Sequence, residues 1–203
     1  MNIYKRFRSF SAENGALMTL VRTKEIFADS LRSKVYTTVF SSDDISIGRW
    51  SKIRGVKFIN LGRNFRAGDD FWVEAISAYG SETYKPEIII GENVIFMNRV
   101  HIAAINRIEI ANDVLIGSNV LITDHFHGNS VGGALQDIHP ASRNLNSRGG
   151  VLIEKRVWIG DGVCIMPGVS IGVGAIIGAN AVVTKSVEAG AVVAGNPARV
   201  ISR

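Results

Sequence analysis

A single cysteine, Cys164, in 203 residues excludes an intramolecular disulfide and agrees with a reducing compartment. It reads as an ordinary small strand residue. The chain has no apolar run of about 18 residues or more, so no transmembrane helix is available. The opening residues MNIYKRFRSFSAENG are basic but lack the apolar stretch and small-residue cleavage site of a secretion signal, and a cytoplasmic address is expected by default. No basic stripe with interleaved aromatics runs along the chain, which speaks against nucleic acid as a partner. The length suits one domain, or one domain with a short appendage.

The net charge of +5 is unevenly placed: residues 1–40 hold seven Lys or Arg (Lys5, Arg6, Arg8, Arg22, Lys24, Arg32, Lys34) against three acids (Glu13, Glu25, Asp29). Residues 1–44 form a basic arm with two readings. It is either a surface that approaches an anionic membrane or a phosphate-bearing substrate, or the solvated face of a short helix. Leu17, Leu20, Val21, Phe27, Ala28 and Leu31 make a partly helical stripe broken by Lys24, and a short helix here is expected to cap the open end of the domain downstream of it.

From residue 153 onward aliphatic positions recur six apart, at Ile153, Ile159, Ile165, Ile171, Ile177 and Val183. The same phase runs through Ile90, Phe96 and Ile102, then, after a two-residue slip, through Ile110, Ile116 and Ile122. Weaker traces occur at Ile47 and Ile53, and at Leu61, Ala67 and Val73. Period six fits neither an amphipathic helix nor a hairpin meander. One short strand plus one corner per hexad does fit, with a β-branched residue inward and Gly, Asn or Asp at the bend. Three such sides close a triangular coil, and coils stacked about 4.8 Å apart pair in parallel. The expected fold is therefore all-β: a parallel β-helix solenoid of about six triangular coils spanning residues 45–203, preceded by the short helical segment.

Two stretches fall outside the pattern. Residues 74–87, EAISAYGSETYKPE, break the phase and are expected to form an irregular connection. The second break begins at TDHFHG and runs over about residues 123–150, rich in Gly, Asn and Ser and carrying His125, His127 and His139. It reads as a long loop leaving the solenoid, and loops of this length without structure of their own are usually functional or disordered. The histidines favour function. His125 falls just past the inward Ile122, where a rigid strand end fixes it, and histidine suits proton transfer because its ordinary pKa, about 6.5, lies near neutrality.

The hexads, the TDHFHG tract, the long loop, VWIGDGVCIMPGVSIGVGAIIGANAVVTKSV and the terminal AGNPARVI together resemble the hexapeptide-repeat acyltransferases, in the branch of sugar O-acetyltransferases that includes galactoside, maltose and surface-polysaccharide enzymes. The resemblance implies a left-handed β-helix; the general rule for parallel crossovers favours the opposite hand. It implies a homotrimer with acetyl-CoA as co-substrate in grooves between subunits, no metal, and a saccharide acceptor, free or lipid-linked; the basic arm would bring a lipid-linked one near a membrane. The first histidine of the tract, His125, is implied as general base, with His127 as the rival. The backbone N–H of Asp161 is implied to face the thioester carbonyl. Trp158 and Gly160 would line the acetyl and pantetheine region and Ala179 the pantetheine arm, while Thr184, Lys185 and Arg199 would meet the nucleotide phosphates. A second cation that relatives carry three places beyond that arginine falls here on Ser202. On the acceptor side, Ala104 and Ile105 stand where galactoside enzymes place a carboxylate, and Asn98 and Arg99 are the nearest polar residues. Asn98 and His127 are the acceptor candidates.

Rival readings stay open beside this one. A zinc enzyme on the same solenoid, like one class of carbonic anhydrase, would need histidines spaced five apart, which His101, His125, His127 and His139 do not provide. A non-catalytic scaffold would not need Lys185 and Arg199 or a histidine at the loop base. Within the enzymes, the alternative acceptors are a serine, an antibiotic or an amino sugar.

Overall fold

The computed structural model describes residues 3–128 and 137–202. Strands two to four residues long fall into three parallel sheets of eight, six and five strands, and the chain visits them in turn. The strands at Ile95–Phe96, Leu115–Ile116 and Trp158–Ile159 are successive members of the first sheet. His101–Ala104, Leu121–Thr123 and Cys164–Ile165 are successive members of the second. Glu87–Ile90, Arg107–Ile110 and Val151–Ile153 belong to the third. A strand cannot satisfy its own backbone, so the N–H and C=O groups of the inner strands pair with the coils above and below. The exception to the parallel order is the final strand, Arg199–Ser202, which turns back antiparallel on Val192–Ala194.

Every aliphatic of the hexad series from Ile153 to Val183 is buried, as are Ile90, Phe96, Ile102, Ile110, Ile116, Ile122, Ile47, Leu61, Ala67 and Val73; Ile53 alone of that set is half-buried. A second inward series runs two residues ahead, at Val157, Val163, Val169, Ala175, Ala181 and Val187, also buried. Each side of a coil therefore contributes two core residues, one on the strand and one at the preceding corner. Lower down, Phe65, Phe71 and Phe96 fill the core edge to face, with Phe65 and Phe96 ring centroids 5.1 Å apart.

The corners explain the Asn and Asp content. Asn64, Asp70, Asn93, Asp113, Asn119 and Asn180 all sit at φ between 57° and 61°, a region these side chains tolerate better than most. Their amides also link coils, Asn64 Nδ2 donating to Asn93 Oδ1 and Asn93 Nδ2 to Asp113 Oδ1, each at 3.0 Å. Gly62 has a different reason, close approach: a Cβ there would lie 2.5 Å from the Gly91 carbonyl carbon on the next coil.

Two expectations need correction. The N-terminal helix α1 is not short: it covers Ile3–Phe40, 38 residues, with one non-helical residue at Gly15. Its apolar stripe does not cap the coils, since Leu17, Leu20, Phe27 and Leu31 are more than half exposed. The last turns make the contact instead. Tyr36 and Phe40 pack on the core, the Ser33 hydroxyl donates to the Ile45 carbonyl, and Arg32 Nε donates to the Ile47 carbonyl at 3.0 Å. Residues rich in helix-forming Ala, Leu, Arg, Lys and Glu extend a helix without needing a continuous buried face. The stretch 74–87 is likewise not irregular: Ala78–Tyr79 and Glu82–Thr83 form an antiparallel hairpin that projects between the second and third sheets.

Replacing the fully buried Ile116 with Ala is expected to lower the unfolding free energy by about 2–5 kcal/mol, because parallel rungs on both sides prevent the cavity from collapsing. Chemical denaturation of the variant checks this, and a loss below about 1 kcal/mol would contradict the packing described.

Candidate active site

The break at TDHFHG occurs where the second sheet hands over to the third. Ile122 is buried in register with Ile102 below and Ile165 above, and Thr123 pairs with Ala103. Asp124 then turns inward and is completely buried. Its carboxylate accepts the N–H of Ile105 at 2.9 Å and the N–H of Asn106 at 2.8 Å. Those two amides belong to the corner where the hexad phase slips by two residues, so the extra backbone of one coil is satisfied by the carboxylate of the next. Asp124 is not among the residues that the sequence marks as candidates. Its one signal there is the slip between Ile102 and Ile110, one coil before the break.

His125 follows directly. Its side chain is only 9% exposed, with Nδ1 lying 3.1 Å from Asp124 Oδ1 and 3.3 Å from Thr123 Oγ1. The chain continues as Phe126–His127, pairing antiparallel with Leu145–Asn146 from the far side of the loop. Residues 129–136 of that loop lie outside the described residues. His127 is exposed and meets the Tyr79 ring edge to face at 5.4 Å. The hairpin below supports the loop further, since the Tyr79 hydroxyl donates to the Ala141 carbonyl at 2.7 Å and Tyr84 exchanges hydrogen bonds with the Leu145 backbone at 3.1 Å. His139 acts locally, its Nδ1 accepting the Ala141 N–H at 3.2 Å and so starting a short turn.

Above His125 the same corner carries Met166 and Pro167, then Thr184 and Lys185. The register Ile122, Ile165, Val183 sets Lys185 two rungs above Asp124, about 10 Å along the axis. A cavity of about 500 Å³ opens along this corner, lined by Phe126, His127, Gly128, Asn146, Arg148, Met166, Pro167 and Thr184. Its lining includes the residues that follow His125, Phe126 and His127, and the residue before Lys185, Thr184.

The other sequence candidates stand at the opposite end of the second-sheet strands. Trp158 is 53% exposed on the first sheet. Gly160 and Asp161 form the corner that follows, beneath Ala179. A Cβ on Gly160 would lie 2.8 Å from the Ala179 nitrogen, so close stacking alone accounts for glycine there. Asp161 Oδ1 accepts the Ser118 N–H at 2.6 Å, and Asn98 Oδ1 accepts the Asp69 N–H at 2.9 Å on coils below. Each of these two side chains supplies an acceptor to the amide of the coil below it. Ala179, one rung above Asp161, has no side-chain acceptor to give the Asp161 N–H. Five residues from Asp161 to Met166 span about 16 Å of strand. Within one chain, His125, His127, Thr184 and Lys185 therefore group at one corner, and Asn98, Trp158, Gly160, Asp161 and Ala179 at another. Arg199 lies with neither, exposed on the terminal strand and donating to the Ala198 carbonyl at 2.9 Å.

The outer face of the second sheet lies between the two corners. Trp72 and His101 stack there in register, ring centroids 4.0 Å apart, and His101 Nε2 lies 3.3 Å from Glu74 Oε1. Glu74 pairs with Ala103, which pairs with Thr123. The fold thus supplies a carboxylate near the Ala104–Ile105 segment from an earlier coil, which aligning neighbouring hexads does not reveal. Among the described residues no group of three or more His, Cys, Asp or Glu is placed to hold a metal ion. No described helix is long and apolar enough to cross a membrane.

Burial holds the His101 imidazole below its ordinary pKa, with Glu74 opposing the shift and a charge on His125 adding to it. Because the folded value is depressed, this residue's contribution to stability is complete above the unfolded pKa of about 6.5 and is lost as pH falls through the folded value. Proton NMR should find His101 titrating below that reference, and Glu74→Gln should move it lower still; a rise on removing Glu74 would contradict the pairing.

Residues 150–185 match the family model described as bacterial transferase hexapeptide (six repeats). The "Putative lipopolysaccharide biosynthesis O-acetyl transferase WbbJ" of Escherichia coli K12 is 36% identical over 180 residues, covering 87% of this chain and 88% of that one. A mutant of the Bacillus cereus N-acyltransferase AntD, in complex with dTDP-4-amino-4,6-dideoxyglucose and coenzyme A, superposes with a TM-score of 0.64 at 22% identity, over 84% of this chain and 87% of that one, a likeness of fold. A galactoside acetyltransferase in complex with coenzyme A gives a TM-score of 0.50 at 25% identity, over 85% of this chain and 69% of that one. A relative this similar over nearly the full length of both chains leaves one conclusion: the protein belongs to the hexapeptide-repeat acyltransferase family and is an acyltransferase.

Proposed function

We propose that the protein transfers an acetyl group from acetyl-CoA to a sugar hydroxyl during the building of a surface polysaccharide, on a left-handed β-helix of about six coils. The name of the Escherichia coli relative and the coenzyme A held by the galactoside enzyme support the substrate classes. The observation that carries the chemistry is His125, almost enclosed at a rigid strand end and followed directly by Phe126 and His127, which line the cavity.

In this reading His125 Nε2 removes the proton as the acceptor oxygen attacks the thioester carbonyl. The Asp161 N–H, below the acceptor-free side chain of Ala179, receives the oxyanion. The tetrahedral intermediate then expels the coenzyme A sulfur, which takes the proton back from His125. No acyl-enzyme is involved, as Cys164 is a half-buried strand residue of the second sheet, away from the histidine end. Thr184, Lys185 and Arg199 are assigned to the phosphates, Trp158, Gly160 and Ala179 to the acetyl and pantetheine portion, and His127 and Asn98 to the acceptor.

The separation of the two corners supports a site shared between chains. A base and an oxyanion donor must both reach one carbonyl, whereas His125 and Asp161 of one chain stand at opposite ends of a strand. A homotrimer in which the His125 corner of one subunit faces the Asp161 corner of the next closes the site.

Two experiments test this. Release of free coenzyme A from acetyl-CoA across mono- and oligosaccharide acceptors should be acceptor-dependent and should fall about 10²–10⁴-fold in His125→Ala; equal rates from both proteins would remove His125 from the mechanism. Asp161→Pro deletes the proposed N–H at a corner position that Pro167 already occupies on the next side of the coil, both being followed by a glycine of positive φ. It should reduce kcat by about 10²–10³-fold while Asp161→Ala, which keeps the N–H, is far milder. Mixed oligomers of His125→Ala and Asp161→Pro chains should regain activity, and no recovery in verified mixed trimers would place both groups in one chain.

A further inference from the structure

We propose that Asp124 is a positioning residue that fixes which nitrogen of His125 carries the proton. The inference rests on His125 being the base. A carboxylate accepts hydrogen bonds and donates none, so its 3.1 Å contact with His125 Nδ1 is favourable only when that nitrogen bears the hydrogen. The lone pair is then on Nε2, the nitrogen that Asp124 does not hold, as a base requires. Asp124 is also unable to turn away. It is completely buried, and the N–H groups of Ile105 and Asn106 grip its two oxygens separately at 2.9 and 2.8 Å. Those donors offset the penalty of burying a charge and leave Oδ1 facing the imidazole.

The two-residue slip thereby acquires a purpose. A regular hexad corner points its amides at the next coil's backbone. The extra residues at Ile105 and Asn106 give that corner two amides with no backbone partner on the next coil, and the carboxylate they bind is the one beside the base. The slip and the histidine tract, separated by about twenty residues of sequence, are two halves of one device.

Asn is nearly isosteric with Asp but can offer only one acceptor oxygen. In Asp124→Asn the amide must either present N–H groups to the backbone donors or turn its own N–H toward Nδ1, which demands the lone pair there and places the hydrogen on Nε2. The variant should therefore lose about 10²–10⁴-fold in kcat with KM for acetyl-CoA changed less than threefold. The tautomer supplies a readout that a purely structural role would not move: in Asp124→Asn the neutral His125 should carry its hydrogen on Nε2. The groups facing His125 are Asp124 and Thr123 from its own strand end and His101, paired with Glu74, from the adjacent strand, and of these only Asp124 holds a carboxylate against the ring. Should the variant fail to fold, nitrogen-15 NMR of the unmodified protein still decides the matter: neutral His125 is expected with its hydrogen on Nδ1. Finding it on Nε2 overturns the proposal, as does an Asp124→Asn enzyme with kcat within threefold of the parent while His125→Ala is inactive. Full activity in His125→Ala would instead bring down the base assignment on which the proposal stands.

Discussion

Pairing between coils is the constraint on which the rest of this structure depends. Strands of two to four residues cannot satisfy their own amides, so every coil must sit in register with its neighbours or leave buried polar groups unpaired. That requirement fixes the position of each inward side chain to within a rung. It also confines departures to the corners, where the chain already turns. Both large departures, the hairpin around Gly80 and the histidine loop, leave at the junction of the second and third sheets, and they brace each other through Tyr79 and Tyr84.

The site follows from this constraint on the backbone. A side chain on the last residue of a paired strand is held nearly as firmly as the core, yet the next residue is free to depart. His125 stands at that transition, with Ile122 locked between the coils on either side and Phe126 already on its way into the loop. On the opposite corner Asn98 and Asp161 each give an acceptor to the amide of the coil below, and Ala179 has none to give the Asp161 N–H, the group to which the proposed function assigns the oxyanion. In the proposed function neither corner completes a catalytic centre alone, and that reading gives the proposed trimer a chemical reason in addition to the burial of surface.

Much of the fold is legible in the sequence because period six has few structural meanings, and the strand-borne aliphatics of the hexads are buried with the half-exposed Ile53 as the weak member. The second inward series is harder to see because its members include Ala175 and Ala181, too small to stand out among the surrounding glycines and alanines. Helix α1 exceeds the short segment that the stripe suggests, since its length follows from local propensity and its apolar stripe is unburied. His125 is legible from its place after Ile122. Asp124 is not, because its partners, the amides of Ile105 and Asn106, have no sequence signature beyond a missing beat in the repeat. Glu74 is hidden for a similar reason: the hairpin insertion puts 27 positions between it and the histidine it touches, so neighbouring hexads cannot align it.

The most direct measurement is a crystal structure of the protein with coenzyme A and a saccharide acceptor. The thiol end of the coenzyme is predicted in a groove between two subunits, with the acceptor hydroxyl facing His125 Nε2 of one chain. The neighbour's Asp161 N–H should be aimed at the carbonyl position, at about 2.7–3.1 Å from where the oxyanion forms. Coenzyme A bound wholly on one chain, or its sulfur far from every His125, would contradict the shared site.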